Sequence, residues 1–356
     1  MSKKAALQVI EASGKPFELG RAIGKKCASK AIQYRKSIAA SVEFYTGFKW
    51  KEAVERAELF LPFAEDFDSD HVEELKGFAD GSKISFGEIF ALSCHELLSP
   101  TGFKGCTDVA VNGDVTSDGR VLAAHNEDWS PTAQETVVLL HAKPKGKPEF
   151  IAACYAGFLP SCGMNSAGIS LTGNALSPND SRIGIPKSFP VRKVLEAKRV
   201  GEALEYAMPD SRASSYNNIV SDKNGEIYSL EGSATDCAWI YAVDGYLVHT
   251  NHYVAEKMQR FEEDPSAIAC SVFRYNRALR LIEDQLGSVT VESLHGLLSD
   301  HVNKPGSICR HPTPGVNPLD VSETIFSVIF DLTNLEAHIL KGKPCTGGFV
   351  KYSLGE

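Results

Sequence analysis

The chain has 356 residues, enough for one large layered core, and its 43% hydrophobic and 23% charged residues are ordinary globular usage, which excludes a disordered chain. The formal net charge of -8 comes without a long run of one sign or a basic stripe, so no nucleic-acid partner is expected. No stretch approaches the ~18 consecutive apolar residues of a membrane span. The opening "MSKKAALQVIEASGKPF" also lacks the apolar core of a secretion signal, so a cytoplasmic protein with no membrane partner is expected.

The first third predicts helices. Residues about 20–47 space apolar positions among lysines and arginines, and residues about 51–66 repeat the pattern with Val54, Ala57, Leu59, Phe60 and Leu61. Asp70 with Glu73 has the form of a capping box opening "HVEELKGFADG", and Ser85 with Glu88 repeats it before "IFALSCHELLS". Gly81 and Gly87 punctuate the connection.

At Cys106 the texture changes. "CTDVAV", "RVLAAHN", "ETVVLLHA" and "EFIAACYA" are short β-branched and apolar runs bounded by Gly, Pro, Asp and Asn, with a solvated hairpin at Lys143, Lys145 and Lys147. Asn224-Gly225 and Asp244-Gly245 each predict a type I′ hairpin. Helical patterns return near 189–208, 271–286 and 290–302, and "ETIFSVIFDL" with "LEAHILKG" closes the chain as a strand pair. Segregated runs of helices and strands predict an α+β fold of antiparallel sheets flanked by helices.

The nine cysteines are irregularly spaced and include no C-x-x-C, so they read as buried free thiols, not a zinc ribbon or a thioredoxin motif. There is no dinucleotide fingerprint or P-loop, and neither a cofactor nor a metal is expected. His249 and His252, three apart on a predicted strand, point to opposite faces and make poor co-ligands. Cys94, His95 and Glu96 fall on a predicted helix and read as structural.

The Gly105-Cys106 step stands where the helical part gives way to strands. A thiol can attack the carbonyl before it, convert the peptide to a thioester and leave water to complete the cut. Glycine at 105 tolerates the strained backbone and does not crowd the attack. The product is an N-terminal cysteine whose own α-amine, titrating near ~8, serves as its general base. Asp128 follows at a distance that allows a hairpin's return.

"GKPFELGRAIG", "EELKGFADG", "GCT", "HNEDW", "GMNSAGISLTGNAL", "VHTNHY" and "SICR", in this order, resemble the successive motifs of the acyl-coenzyme A:6-aminopenicillanic acid acyltransferase family of N-terminal-nucleophile (Ntn) hydrolases. The resemblance implies a four-layer αββα sandwich and self-cleavage at Gly105-Cys106. The products would be an α fragment (1–105) and a β fragment (106–356) that stay associated as a heterodimer. It implies Cys106 as nucleophile and Asp128 as the carboxylate orienting its amine or thiol. Asn251 is the first candidate oxyanion donor and Asn174 the second. Arg310 is expected to lower the thiol pKa or hold Asp128. A glutamate such as Glu96 sits near the processed junction in that family. Glu127 reads as an exposed loop charge, and Asp108 as a pocket-wall residue where the penicillin enzyme carries a hydroxyl. The expected substrate is an acyl amide or an acyl thioester. The expected chemistry is amide hydrolysis or acyl transfer through a Cys106 thioester. The alternatives are a dedicated acyl-CoA-dependent acyltransferase and an uncut, non-catalytic binding protein on the same scaffold.

Overall fold

The computed structural model describes residues 7–94, 96, 105–317 and 319–355. In chain order the elements are β1 (Val9–Gly14), α1 (Pro16–Thr46), α2 (Trp50–Ala57), α3 (Leu61–Ser82) and α4 (Phe86–Ser93). Then come β2 (Gly105–Val111), β3 (Leu122–Trp129), β4 (Val137–Pro144), β5 (Phe150–Tyr155), β6 (Leu159–Asn165) and β7 (Ile169–Ala175). Helices α5 (Ser188–Val194) and α6 (Val200–Ala207) precede β8 (Tyr216–Asp222), β9 (Ile227–Gly232), β10 (Cys237–Tyr241) and β11 (Tyr246–His249). The chain ends with α7 (Ala269–Glu283), α8 (Val291–Leu298), β12 (Glu323–Asp331), β13 (Glu336–Lys341) and β14 (Val350–Ser353).

The strands form an eight-stranded sheet, β1-β4-β5-β6-β7-β8-β9-β10, and a six-stranded sheet, β11-β2-β3-β12-β13-β14. The sheets face each other through β2, β3 and β11 on one side and β7, β8 and β9 on the other. Helices α1, α5 and α6 pack on the eight-stranded sheet, with α3 against α1 and α5, while α7 and α8 cover the six-stranded sheet. This is the expected four-layer αββα arrangement. Strands buried on both faces need no polar alternation, which explains the fully buried β2 and β12. Among the described residues no helix is long and apolar enough to cross a membrane.

The helical part departs from expectation in three places. β1 pairs parallel with β4, so the N-terminal third supplies a strand to the eight-stranded sheet. The break before "HVEELKGFADG" lies at Asp68 (φ -153°, ψ 79°), whose carboxylate accepts from the His71 N–H at 3.2 Å, so Asp70 lies inside α3 and is not its cap. Gly81 does not punctuate a connection. It belongs to a close crossing of α1 and α3 in which a Cβ on Gly20 would stand 1.8 Å from the Glu74 carbonyl oxygen, and one on Gly81 2.3 Å from that of Arg21. Ser85 does cap α4, accepting from the Glu88 N–H.

The two turn dipeptides part company. Asn224-Gly225 joins β8 to β9 as a hairpin, but only Gly225 has positive φ, so the turn is not type I′. Asp222 instead accepts from the Asn224 N–H at 2.8 Å. Asp244-Gly245 joins strands of different sheets, β10 in one and β11 in the other, and is a sheet-to-sheet crossover, not a hairpin. Asn112 N–H holds it by donating to the Gly245 carbonyl at 2.8 Å.

Candidate active site

β2 and β3 run antiparallel with Gly105 opposite Asp128, Cys106 opposite Glu127, Thr107 opposite Asn126 and Asp108 opposite His125. The two-residue period of a strand then divides these side chains. Cys106, Asp108, His125 and Glu127 face the eight-stranded sheet, where Tyr155 of β5 donates to Glu127 at 2.7 Å. Thr107, Asn126 and Asp128 face the helices. Arg274 of α7 donates to Thr107 at 3.1 Å, and Asn126 donates to the Leu298 and Ile308 carbonyls at 2.9 and 3.0 Å.

On the helix side, Asp128 lies against the Gly105 backbone. A Cβ at 105 would stand 2.6 Å from Asp128 Oδ2 and 3.0 Å from Arg310 Nε, so this position is glycine because two functional groups occupy the space of a side chain. Thr324 donates to Asp128 Oδ1 at 2.6 Å. Arg310 Nε lies 3.4 Å from Oδ2, which has no hydrogen-bond partner. Burial raises the Asp128 carboxyl to about 6, against the pull of Arg310, Arg274 and the Thr324 bond. It remains largely ionised at neutral pH.

The backbone nitrogen of Cys106 donates to Asn251 Oδ1 at 2.9 Å. Asn251 is fixed by its Nδ2–H, given to the Ala175 carbonyl at 3.1 Å, and by Arg274, whose Nη2 donates to the same Oδ1 at 2.7 Å. Arg274 Nη1 also donates to the Cys106 carbonyl. Arg274 therefore holds the backbone on both sides of the Cys106 Cα. The Asn251 amide is engaged on both atoms, whereas the buried Asn174 Nδ2 has no partner, its Oδ1 lying 3.3 Å from Asn217 Nδ2 and 3.1 Å from His249 Nδ1. Asn174 thus has both amide N–H groups free, whereas Asn251 gives one to Ala175 and keeps one. The Asn174, Asn251, Asp128 and Arg310 positions all converge on the β2 head or the strand ends beside it.

On the inward face, His125 bridges two carboxylates, Nδ1 to Asp108 at 2.5 Å and Nε2 to Glu127 at 2.9 Å. Burial alone would depress this imidazole, but the two acids outweigh it and hold its pKa at about 10, so it is cationic. Glu127 also accepts from Ser161 and is buried, which corrects its reading as an exposed loop charge: β3 continues through it to Trp129. Ligand atoms of Cys106, His125 and Glu127 lie within 4.8 Å of one another. Burial first, then Glu127, Asp128 and Asp108, push the Cys106 thiol well above its ordinary pKa, against Arg274. In the continuous chain the sulfur is a protonated thiol.

Other expectations resolve nearby. Cys94 and Glu96 stand beyond the end of α4, not on it, and His95 lies outside the described residues. Glu96 accepts from the Lys187 N–H at 2.8 Å and Ser214 Oγ at 2.9 Å. The chain leaves β11 at Thr250, so the His249 and His252 rings lie side by side, 6.5 Å apart, instead of on opposite faces. His249 Nε2 is committed to Glu231 at 2.7 Å. Arg274 and the Asp108–His125–Glu127 bridge were not anticipated. An arginine within the buried 271–274–278–282 stripe of α7 is the signal that marks the first.

Residues 115–345 match the family of acyl-coenzyme A:6-aminopenicillanic acid acyl-transferase. The chain belongs to that family. The matched span begins downstream of Cys106. The acyl-coenzyme A:6-aminopenicillanic-acid-acyltransferase 40 kDa form of Emericella nidulans is 26% identical over 94% of this chain and 92% of its own length. The beta-alanyl-dopamine/carcinine hydrolase of Drosophila melanogaster is 28% identical over 53% of this chain and 52% of its own. The relatives thus include one named as an acyltransferase and one named as a hydrolase. Among solved structures, penicillin V acylase from Agrobacterium tumefaciens superposes in part, with a TM-score of 0.48, 13% identity, and coverage of 70% of this chain and 87% of that one.

Proposed function

We propose that this chain is a self-processing cysteine N-terminal-nucleophile enzyme that cuts Gly105-Cys106 and then hydrolyses or transfers the acyl group of amide-type substrates through Cys106. The observation that carries this reading is the Cys106 backbone nitrogen. It is the atom that becomes the base after the cut, and it is already seated on Asn251 and backed by Arg274.

In the first step Cys106 Sγ bonds to the Gly105 carbonyl carbon and that carbon's bond to the Cys106 nitrogen breaks. The thiol proton passes to the nitrogen, through Asp128 as its carrier. Water then hydrolyses the thioester, leaving a Gly105 carboxylate and a free Cys106. Departure of residue 105 opens the space over Asp128 Oδ2, whose unpartnered lone pairs accept from the new amine. In turnover that amine takes the thiol proton, the sulfur attacks the substrate carbonyl, and Asn174 Nδ2 donates to the developing oxyanion. The α fragment stays bound because β1 is paired into the eight-stranded sheet and α1 is packed on it.

Intact-mass measurement on purified protein tests the cut. Wild type resolves into two fragments that co-elute, and Cys106→Ala remains whole; a wild-type chain that also remains whole refutes self-processing and favours a binding protein on the same scaffold. The near-full-length match to an acyltransferase supports transfer from an acyl thioester as the second outcome of the same site. Product analysis with a competing amine separates it from hydrolysis.

A further inference from the structure

Away from the Cys106 face, the segment after α8 and the short turn Pro344–Thr346 between β13 and β14 bring four metal-ligating side chains to one point. The ligand atoms of His301, Cys309, His311 and Cys345 all lie within 4.8 Å of one another. His311 Nε2 is the focus: His301 Nε2 stands 3.0 Å away, Cys345 Sγ 3.6 Å and Cys309 Sγ 3.7 Å. One ring nitrogen carries either one hydrogen or one lone pair, so it cannot satisfy three neighbours by hydrogen bonding. A cation at the centre satisfies all four.

The distances fit a tetrahedral ion. With bonds of about 2.0–2.1 Å to nitrogen and about 2.3 Å to sulfur, a tetrahedral zinc centre separates nitrogen from sulfur by about 3.6 Å and two nitrogens by about 3.3 Å. Two thiolates and two imidazoles are the soft-to-borderline donor set that zinc takes, and four protein ligands make a closed, structural site. Cys309 is buried, while His301 is exposed and supplies the route of entry.

We propose that His301, Cys309, His311 and Cys345 form a Cys2His2 zinc site that pins the Arg310 segment to the β13–β14 turn. The absence of any C-x-x-C hides it in the sequence, because the ligands arrive from three separate places in the chain. Its consequence is local. Arg310 sits between two ligands, its N–H donates to Thr324 Oγ1 at 2.9 Å, and Thr324 in turn donates to Asp128. An ion here would make Arg310 and Thr324 rigid supports of the Asp128 carboxylate.

The test uses full-length protein stripped by chelator under reductant, in a Cys106→Ala background so that the Cys106–His125–Glu127 group cannot bind the probe through sulfur. Cobalt(II) is titrated in. The expected result is saturation at one ion per chain, with sulfur-to-cobalt charge-transfer absorption, the intense visible bands of tetrahedral cobalt, and displacement by equimolar zinc. Cys345→Ser and the rim variant His301→Ala should each weaken binding by at least the ~10–100-fold that losing even a supporting partner costs. Cys345→Ser should also lose part of the charge-transfer intensity. Failure to bind, weak octahedral bands only, or bands unchanged in both variants overturns the proposal. So does a thiol titration of the unreduced native protein in which two thiols appear only after reduction, since Cys309 and Cys345 would then be joined as a disulfide. Circular dichroism identifies a variant that fails to fold, and His301→Ala, at an exposed position, keeps the test decisive in that event.

Discussion

The two faces of the β2–β3 ladder use the same residue types to opposite ends. The inward face sets two carboxylates, Asp108 and Glu127, on one imidazolium, His125; both ring nitrogens and both Glu127 oxygens are engaged, and Asp108 Oδ2 has no partner. The outward face sets one carboxylate, Asp128, beside the Arg310 guanidinium, and leaves Asp128 Oδ2 and Arg310 Nε without hydrogen-bond partners at the edge of the Gly105 backbone. An open buried oxygen therefore stands on each face, Asp108 Oδ2 on the inward one and Asp128 Oδ2 on the outward one, and what sets the outward one apart is its place against the Gly105 backbone. On the function proposed above, the inward face frames the sulfur and the outward face serves the bond at 105–106.

Breaking the outward face should have the largest effect. Asp128→Asn keeps the shape and the Thr324 contact but cannot take a proton. Self-cutting should slow by the ~10²–10⁴-fold of a lost acid–base group, followed by intact mass against time. The pH profile sharpens the assignment. The Asp128 carboxyl titrates at about 6, so below that pH it is protonated and wild-type cutting should fall, while Asp128→Asn stays flat. A wild-type profile with no change near pH 6 would remove Asp128 from the proton path.

Breaking the inward face should damage stability more than chemistry. Glu127→Ala leaves His125 with one acid and strands Tyr155 and Ser161, and loss of one partner from a buried ionic network costs ~3–5 kcal/mol. Denaturant unfolding measures this in the Cys106→Ala background, where the chain remains whole. The pH dependence has a definite sign. His125 is raised from 6.5 to about 10 on folding, so its contribution is full below pH 6.5 and is lost as pH climbs through 10. His125→Gln should flatten that alkaline decline. An unchanged decline would place the titrating group elsewhere.

How much of this was legible in the sequence depends on whether the signal was local. β2, β3, β12 and the capping of α4 by Ser85 were read correctly, because β-branched runs and a Ser-x-x-Glu motif act within a few residues. The Gly-x-x-x-Gly spacings in "ELGRAIG" and "GFADG" were visible, but their cause, backbone contact between α1 and α3, is a tertiary fact. β1 was missed because its partner β4 lies over a hundred residues on and the pairing is parallel. Asp244-Gly245 announced a turn and could not announce which sheet its second strand would join. The Asp108–His125–Glu127 bridge is a matter of register: i and i+2 positions on two strands meet only once Cys106 is known to stand opposite Glu127. Asn251 and Asn174 were both named, and only hydrogen-bond accounting separates the asparagine whose oxygen holds the Cys106 nitrogen from the one whose amide nitrogen is wholly uncommitted.

The smallest change meets both faces at their common edge. Gly105→Ala adds one methyl group, which would lie 2.6 Å from Asp128 Oδ2 and 2.8 Å from its Cβ. Neither neighbour can retreat freely, since Thr324 holds the carboxylate and the ladder holds the backbone. The methyl must push Asp128 away from the Gly105 backbone. Overpacking of this kind costs ~1–3 kcal/mol. The result separates two reasons for a glycine here. If backbone freedom alone were at stake, alanine should leave both cutting and Asp128 unchanged, because β2 is extended at this point and accepts any residue. If the glycine makes room for the carboxylate, alanine should slow cutting and also displace the pH midpoint from about 6, as Asp128 moves relative to Arg310. Retention of the wild-type midpoint in Gly105→Ala would detach the glycine from Asp128 and leave the close approach as packing alone.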